Sequence, residues 1–425
     1  MRDSFLLACR TLVRGRFVPI LFAAVALVAV FVPGLVRTDG SAAGMREMYI
    51  RAILGCATAI VAIAVLCAAC GHVARAREEH RLSLAMVRPA ATFRSLVGIW
   101  LAYVAAAAAV LCALAVVVYL RVPGGPVPCR HYVAPVMPSP MIAAREALAG
   151  YLADPSTPDA VRKAPRSTVL SLLASKEADR YDPIPAGASA EWKFPAEWEE
   201  SSSLALRVRF ATQFEMRAAL CGDFSYGMFS ASISNNTQSL LEIPLRPVAA
   251  DGTEPTSRKK GLLAGVFRNT GSETVMLRPR RDIFLLAPGD SFAANMIRSL
   301  MHTLSGIALA AAFGLFLSSA LSRPVAVFTA LVAATVVFMA PSVIEQFPDE
   351  LDAAFADRIG IILSRAVHSA TSSLSEATPI SDLAEGRFIE WAPLARALLL
   401  DATAIPLALL AAAAVVVRRK SLPDR

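Results

Sequence analysis

Charged residues are scarce in this chain, and their scarcity excludes an ordinary soluble protein. Only 18% of the 425 residues are Asp, Glu, Lys or Arg, whereas soluble domains contain about 25%. Hydrophobic residues make up 56% of the chain, and a large share of them lies in long uninterrupted runs. Length alone would allow two or three soluble domains, but these runs divide the chain between bilayer and water. The sequence therefore predicts a membrane protein.

Sequence signatures of catalysis and of nucleotide or metal binding are also missing. The chain has no Gly-x-x-x-x-Gly-Lys-[Ser/Thr] phosphate loop, so a partner must bind any ATP that is used. Its five histidines do not pair at metal-ligand spacings, and no His-Glu-x-x-His motif occurs. Gly289-Asp290-Ser291 resembles the start of a hydrolase motif, but its position before an amphipathic segment favours a helix cap. The sequence therefore predicts neither an enzyme nor a bound cofactor.

Six apolar windows are long enough to cross the hydrocarbon as helices, which takes roughly 20 residues. The windows are 17–36, 51–71, 96–120, 300–321, 324–344 and 398–417. Pro341 and Pro406 weaken the last two, but neighbouring helices can satisfy the backbone groups that Pro frees. The first run is too long for a cleaved signal peptide and is expected to be retained. These windows predict an α-helical polytopic membrane protein with six transmembrane helices.

The distribution of basic residues predicts the orientation of these helices. Segments 1–16, 72–95, 322–323 and 418–425 hold 14 of the 42 Lys and Arg residues. The loop 345–392 is acidic by contrast. Because short basic segments stay in the cytoplasm, both termini are expected there, in a multi-pass protein of the cytoplasmic (inner) membrane. The net charge of +8 thus reflects topology and not binding to nucleic acid.

A long polar segment separates the third and fourth windows. Residues 121–299 are too polar for the bilayer and numerous enough for a core of their own. Helices are predicted over 141–180, and period-two alternation predicts short strands over 190–290, as in an antiparallel β-sandwich. The predicted organisation is therefore an interfacial helix and three spans in 1–120, an inserted extracytoplasmic α+β domain in 121–299, and three spans in 300–425 with the external acidic loop 345–392.

Three isolated residues are further candidates. Cys129 and Cys221 are the only cysteines in external segments, where an oxidising environment permits a disulfide. Nothing in the sequence brings their Cα atoms within bonding range, so the pairing stays open. Asp401 is the one acidic residue inside a span, which makes it a candidate pathway residue. Counting back from Arg418 instead places it at the outer interface, where it can be hydrated.

The cytoplasmic segment 72–95 has a charged turn, then an apolar stripe, then a proline. This pattern predicts a short amphipathic helix just under the membrane, ended by Pro89. The alternative is a basic connector that faces the lipids. At the N-terminus, one helical face holds Phe5, Cys9, Leu12 and Val13, which predicts a helix in the lipid interface.

The order of these features resembles the membrane (permease) subunits of the type-2 family of ATP-binding-cassette transporters. The matching stretches are Thr11-Leu12-Val13-Arg14-Gly15-Arg16-Phe17, Arg77-Glu78-Glu79 with Leu84-Ala85-Met86-Val87-Arg88-Pro89, Leu96-Val97-Gly98-Ile99-Trp100-Leu101, Ser318-Ser319-Ala320-Leu321-Ser322-Arg323-Pro324-Val325, Asp382-Leu383-Ala384-Glu385-Gly386-Arg387-Phe388-Ile389 and Arg418-Arg419-Lys420. They cover nearly all the membrane segments. The sequence departs from these subunits in three ways. Ile99 stands where they often have Lys, and the terminal basic stretch lacks the acidic residue that often follows it. The external insertion is larger than that of simple exporters, which leaves the substrate open.

The resemblance implies a non-catalytic half of a transport pathway. It implies two permease halves, identical or different, and a separate cytoplasmic ATPase that docks on the 72–95 loop. The residues implied in docking are Glu78, Glu79, Leu82, Leu84, Met86, Arg88 and Pro89. A second class of function is a membrane-anchored extracytoplasmic interaction or sensor protein without transport activity.

Overall fold

The computed structural model describes residues 2–35, 42–78, 89–155, 157, 159–162, 166–195, 203–209, 211–212, 220–235, 240–247, 261–346 and 379–421. These residues form two compact units. The first, the helical unit, comes from Met1–Cys129, Asp290–Val343 and Gly360–Arg425. The second, the strand unit, comes from Arg130–Gly289 and Ile344–Ile359.

The described helices are, in chain order, α1 (Arg2–Arg14), α2 (Phe17–Leu35), α3 (Ala42–Glu78), α4 (Pro89–Arg121), α5 (Pro140–Ala153), α6 (Asp159–Arg162), α7 (Arg166–Ala178), α8 (Phe292–Ala320), α9 (Arg323–Gln346), α10 (Pro379–Glu385), α11 (Trp391–Leu399) and α12 (Ile405–Ser421). A π-helical segment, Leu400–Ala404, joins α11 to α12. Helices α5 to α7 belong to the strand unit, and the others form the helical unit.

Five stretches of the described helices are long and apolar enough to cross a membrane. They are Phe17–Leu35, Gly44–Ala76, Thr92–Arg121, Phe292–Ala320 and Trp391–Arg419. Helix α9 coincides with the fifth predicted window, and its part Arg323–Val336 is apolar but shorter. The structure is thus that of a largely helical chain suited to a membrane, and the count of six spans stays a prediction.

Helices α3 and α8 approach each other closely at Gly314. A Cβ atom added there would lie 2.9 Å from the Cβ of Ala69 and 2.9 Å from the carbonyl oxygen of Leu66. Small residues permit such approaches, which supply the packing that holds membrane helices together. Helix α4 contacts α8 through a hydrogen bond of 2.8 Å, which the Trp100 indole donates to the carbonyl oxygen of Ala308.

The strands of the second unit are β1 (Arg130–Val133), β2 (Asp182–Ile184), β3 (Ser189–Pro195), β4 (Ala205–Arg209), β5 (Ala211–Thr212), β6 (Leu220–Tyr226), β7 (Phe229–Asn235), β8 (Leu240–Pro244), β9 (Arg246–Pro247), β10 (Leu262–Asn269), β11 (Val275–Leu277) and β12 (Ile283–Pro288). They pair antiparallel in sheets of order β1-β12-β4-β8, β3-β10-β6-β7-β9 and β2-β11-β5.

One hydrophobic core joins the three sheets of the strand unit. Leu206 comes from the first sheet, Phe194, Phe224 and Phe267 from the second, and Leu277 from the third, all fully buried. Antiparallel strands are therefore confirmed, whereas their stacking as a β-sandwich stays a prediction. The predicted helical part corresponds to α5, α6 and α7.

Side-chain caps fix the start of two helices. Ser139 accepts a hydrogen bond from the backbone of Ile142, and Pro140 occupies the first position of α5, where its missing N–H needs no partner. Ser291 accepts from Ala294 in the same way at the start of α8. The interpretation of Gly289-Asp290-Ser291 as a cap is thus confirmed.

Candidate functional site

Two long helices flank the segment that is predicted to bind an ATPase. Helix α3 ends at Glu78 and helix α4 begins at Pro89. Five of the predicted docking residues lie outside the described residues: Glu79, Leu82, Leu84, Met86 and Arg88. The short amphipathic helix that was predicted to end at Pro89 falls largely on the same undescribed segment. Pro89 itself is the first residue of a helix, a position that suits its fixed φ angle. Residues 72–78 continue α3 and do not form a separate helix.

The ends of these helices are anchored to their neighbours. The backbone N–H of Ala74 donates to the Ser318 hydroxyl at 3.0 Å, close to the turn between α8 and α9. His72 Nδ1 lies 3.1 Å from the Tyr103 hydroxyl of α4, which donates to the Ala68 carbonyl oxygen at 3.2 Å. The end of α3 that leads to residues 79–88 therefore contacts α4 and α8 through specific hydrogen bonds.

Asp401 lies inside the last long helix, in the π-helical segment. Asp401 is 1% exposed, and its Oδ2 atom has no hydrogen-bond partner among the described residues. The helical run begins at Trp391, so Asp401 lies about 15 Å along it. Single π-turns in helices often mark functional sites. The structure thus buries Asp401, and its role as a pathway residue stays a prediction.

Residues 386–391 cover the first turns of α8. The Asn295 amide donates to the Arg387 carbonyl oxygen at 2.8 Å, and its oxygen accepts from the Ile389 N–H at 2.9 Å. The Ser299 hydroxyl donates to the Pro379 carbonyl oxygen at 3.0 Å. Buried polar groups of α8 therefore hold the chain that precedes the last helix.

Arg298 lies at the centre of this region. Its side chain is 5% exposed and forms an ion pair with Asp290, whose side chain is half exposed. The guanidinium carbon lies 4.6 Å from the ring centroids of both Phe388 and Trp391, within the range of cation–π attraction. The Nε and Nη1 atoms have no hydrogen-bond partner among the described residues. We call Arg298, Asp290, Phe388 and Trp391 the arginine cluster.

An apolar cavity of about 160 Å³ lies between α4, α8 and the last helix. Its lining residues are Trp100, Val104, Met301, Leu304, Ser305, Ala308, Leu398 and Ala402. Met301 follows Arg298 by one helical turn, and Leu398 follows Trp391 by two turns, so these residues share helical faces with the arginine cluster. Along both helices, the cluster therefore lies on the N-terminal side of the residues that line the cavity.

Another acidic group of the helical unit lies on α10. Burial raises the pKa of the Asp382 carboxyl from 3.8 to about 6; Arg387 opposes the rise, and Glu385 adds to it. The Arg387 guanidinium lies 3.7 Å from the Asp382 carboxylate. Arg51 of α3 pairs with Glu385 at 3.0 Å. Charged contacts thus join α10 to α3 and to the segment that follows α10.

The raised pKa predicts that the protein loses stability as the pH rises from about 4 to about 6. The unfolded chain releases the Asp382 proton near pH 4 while the folded state keeps it up to about pH 6, so the stabilisation is fully present below pH 4 and has been lost above pH 6. A rise in pKa from 3.8 to about 6 corresponds to at most about 3 kcal/mol, and the partial exposure of the side chain lowers this figure. We expect a lower melting temperature at pH 7 than at pH 4, and a smaller difference in Asp382→Asn. Glu390→Gln, at an exposed position, is the matched control; equal pH effects in both variants would contradict the assignment.

Cys129 and Cys221, which the sequence predicts to be external, are free thiols in the structure. Cys129 is buried, its thiol donates to the Asp290 carbonyl oxygen at 3.0 Å, and burial raises its pKa. Cys221 has the Ser234 hydroxyl 3.8 Å from its sulfur. The pairing of Cys129 with Cys221, which the sequence left open, stays open.

The described residues contain no group of three or more His, Cys, Asp or Glu side chains that could hold a metal ion. The architecture is that of a polytopic helical membrane protein with an inserted strand-rich unit. No protein-family model matches the chain, and no curated protein or solved structure matches it.

Proposed function

We propose that this chain is the non-catalytic permease half of an ATP-binding-cassette transporter, which moves a substrate across the cytoplasmic membrane. A separate cytoplasmic subunit hydrolyses the ATP, and a second permease half completes the pathway. The proposal includes six membrane-spanning helices with α9 as the fifth, both termini in the cytoplasm, and a strand unit that folds as an external β-sandwich. Helix α9 has 24 residues, about 36 Å, which is enough to cross the hydrocarbon.

The observation that carries the proposal is the length of the two helices on either side of residues 79–88. Helix α3 has 37 residues and α4 has 33, about 55 and 50 Å, whereas the hydrocarbon is about 30 Å thick. Each helix extends about 10 Å beyond its predicted apolar window toward residues 79–88. The described residues next to 79–88 thus belong to helical extensions, which in this proposal a cytoplasmic partner reaches.

The hydrogen bonds at this end explain how force could pass to the membrane. A partner that moves residues 79–88 pulls on α3 and α4 together, because Tyr103 joins them. The bond from Ala74 to Ser318 extends the connection to α8. One docking site therefore acts on three membrane helices, as coupling to ATP hydrolysis requires.

Substitutions in the connector should weaken docking in a graded manner. Burying one Leu side chain is worth roughly 1.5–3 kcal/mol, and an exposed charge usually less than about 1 kcal/mol. We therefore expect Leu84→Ala to lower ATPase affinity about tenfold or more, and Glu79→Ala to lower it less. Pro89→Ala should impair coupled ATP hydrolysis by changing the start of α4. Binding is measured by co-purification with the ATPase, and coupling by stimulated turnover.

Leu120→Ala is the matched control for Leu84→Ala. Leu120 lies at the opposite end of α4, and its side chain is 75% exposed, so its loss should leave ATPase binding unchanged. Full partner binding and coupled hydrolysis in all three connector variants would overturn the proposed docking site and leave the segment as a lipid-facing connector.

The second candidate is a membrane-anchored extracytoplasmic interaction or sensor protein. The observation in its favour is that the strand unit has a hydrophobic core of its own. Solubilisation in a mild detergent, followed by identification of co-purified proteins, separates the two candidates. An ATP-binding-cassette subunit supports the permease, whereas an envelope protein captured through the strand unit, without such a subunit, supports the sensor.

A further inference from the structure

We propose that the arginine cluster and the adjoining cavity form a binding site for an anionic amphiphile. In this site Arg298 binds the phosphate or carboxylate head, and the cavity receives the first part of the apolar chain. The inference concerns binding alone, so it holds for a bilayer lipid or for a transported molecule and does not depend on ATP-driven transport.

The unmet bonding capacity of Arg298 is the first argument. A guanidinium offers five N–H donors and keeps its charge at every physiological pH. Here the Nη2 atom bonds to Asp290, while Nε and Nη1 have no partner among the described residues. Buried donors without acceptors are costly and rare in native proteins. An oxyanion carries several acceptor oxygens and a full negative charge. It can therefore accept hydrogen bonds from the unpaired N–H donors and balance the positive charge of Arg298.

The two aromatic rings give the guanidinium a fixed position. Phe388 and Trp391 each lie 4.6 Å from its central carbon. Such contacts restrict a long side chain and limit its hydration, which strengthens any charge-assisted hydrogen bond that it makes. Trp391 is 59% exposed, and exposed Trp side chains favour the level of lipid head groups in a membrane.

The cavity supplies the apolar half of the site. It is lined almost entirely by carbon, and cavities of about 150 Å³ with such walls take up benzene-sized apolar molecules. The distance along α8 from Arg298 to Ser305, near the far wall, is about 10 Å. A short alkyl chain attached to a head group at Arg298 therefore fits along the helix into the cavity.

Substitution of Asp290 distinguishes between anion binding by Arg298 and a purely structural role of Arg298. If Arg298 serves only to clamp residues 386–391 onto α8, removal of the Asp290 charge weakens the clamp and creates no affinity for anions. If Arg298 is an anion receptor, Asp290 competes with the ligand, and Asp290→Asn increases affinity. A gain in binding cannot result from a misfolded variant, so this substitution is decisive where Arg298 variants lose stability.

The experiment uses the full-length protein in phosphatidylcholine nanodiscs and 6-bromohexyl phosphate as the probe. Bromine quenches indole fluorescence on contact, and Trp100 lines the cavity, so saturable quenching that is lost in Trp100→Phe places the chain there. We expect Asp290→Asn to tighten binding at least threefold and Arg298→Gln to weaken it at least tenfold, with Arg298→Lys in between. Arg14→Gln, which removes an exposed arginine of the same unit, should change nothing.

Two parallel titrations complete the test. The uncharged probe 6-bromohexanol should not saturate, and inorganic phosphate alone should bind far more weakly than the alkyl phosphate. Equal quenching by the alcohol and the phosphate, unchanged affinity in Arg298→Gln, or no gain in Asp290→Asn would each overturn the proposal.

The source of the ligand is found by adding phosphatidylglycerol to the nanodiscs. Competition with the probe in the unaltered protein but not in Arg298→Gln identifies a bilayer lipid as the ligand. Probe binding that phosphatidylglycerol does not affect identifies an amphiphile other than this lipid. Both results support the proposed binding site, and they differ only in the ligand that they identify.

Discussion

Gly314→Leu is expected to destabilise the helical unit strongly. The added Cβ alone would lie 2.9 Å from both Ala69 Cβ and the Leu66 carbonyl oxygen, closer than atoms of these types approach, and the rest of the side chain needs more space still. Helices α3 and α8 would have to separate and lose the packing between them. Overfilling a core costs about 1–3 kcal/mol, and here the obstructing atoms include backbone, so the cost lies at the upper end or above it.

Gly55→Leu is the matched control for this substitution. Gly55 lies on α3, and a Cβ atom there meets nothing within 4 Å. We expect Gly55→Leu to elute from size exclusion in detergent as a single species, and Gly314→Leu to aggregate or to melt at a much lower temperature. Equal behaviour of the two variants would show that α3 and α8 do not cross closely at Gly314.

Gly265→Val is expected to disrupt the strand unit. Gly265 lies on β10, where a Cβ atom would be 2.6 Å from Cε2 of Phe194 and 3.1 Å from Cζ of Phe224. Both rings are fully buried, so neither can move without displacing the core of the unit. The expected loss exceeds about 3 kcal/mol, because overpacking is combined with displaced aromatic side chains.

Limited proteolysis of the full-length protein measures this effect. Ala264→Val is the control, since Ala264 lies next to Gly265 on the exposed side of the same strand. We expect the strand unit to be cut rapidly in Gly265→Val and at the unaltered rate in Ala264→Val. Similar cleavage of both variants would mean that the Phe194 and Phe224 rings do not cover Gly265.

The apolar windows predicted the positions of the long helices well but not their lengths. The first window, 17–36, nearly coincides with α2, Phe17–Leu35, because an uninterrupted apolar run fixes both ends. The windows 51–71 and 96–120 are much shorter than α3 and α4. Hydropathy detects contact with lipid, whereas a helix continues through polar residues when neighbours such as Ser318 hold it.

Alternation predicted that short strands lie between residues 190 and 290 but not the limits of each strand. Strands β4 and β11, among others, lie in this range. Strands β5 and β9 have two residues each, which is too few for a period to be visible. Such short strands exist because longer neighbours pair with them, and this tertiary effect is not encoded locally.

The arginine cluster could not be predicted from local sequence. Arg298 lies just before the window 300–321. A charged residue at such a position usually indicates the hydrated end of a membrane-spanning helix. Its burial depends on Phe388 and Trp391, about 90 residues later in the chain. The start of the last helix was also not predictable from its window, which begins near residue 398, whereas the helix begins at Trp391.

The uninterrupted course of α3 has a mechanical consequence. No proline breaks the helix between Ala42 and Glu78, and a rigid rod about 55 Å long acts as a lever: a tilt of about 10° at one end displaces the other by about 10 Å. A change at the Arg51–Glu385 ion pair, small in itself, is thus amplified by the time it reaches Glu78. In the proposed transporter the same lever works in reverse, so that a large displacement of the Glu78 end becomes a small displacement, made with greater force, near the Arg51–Glu385 ion pair.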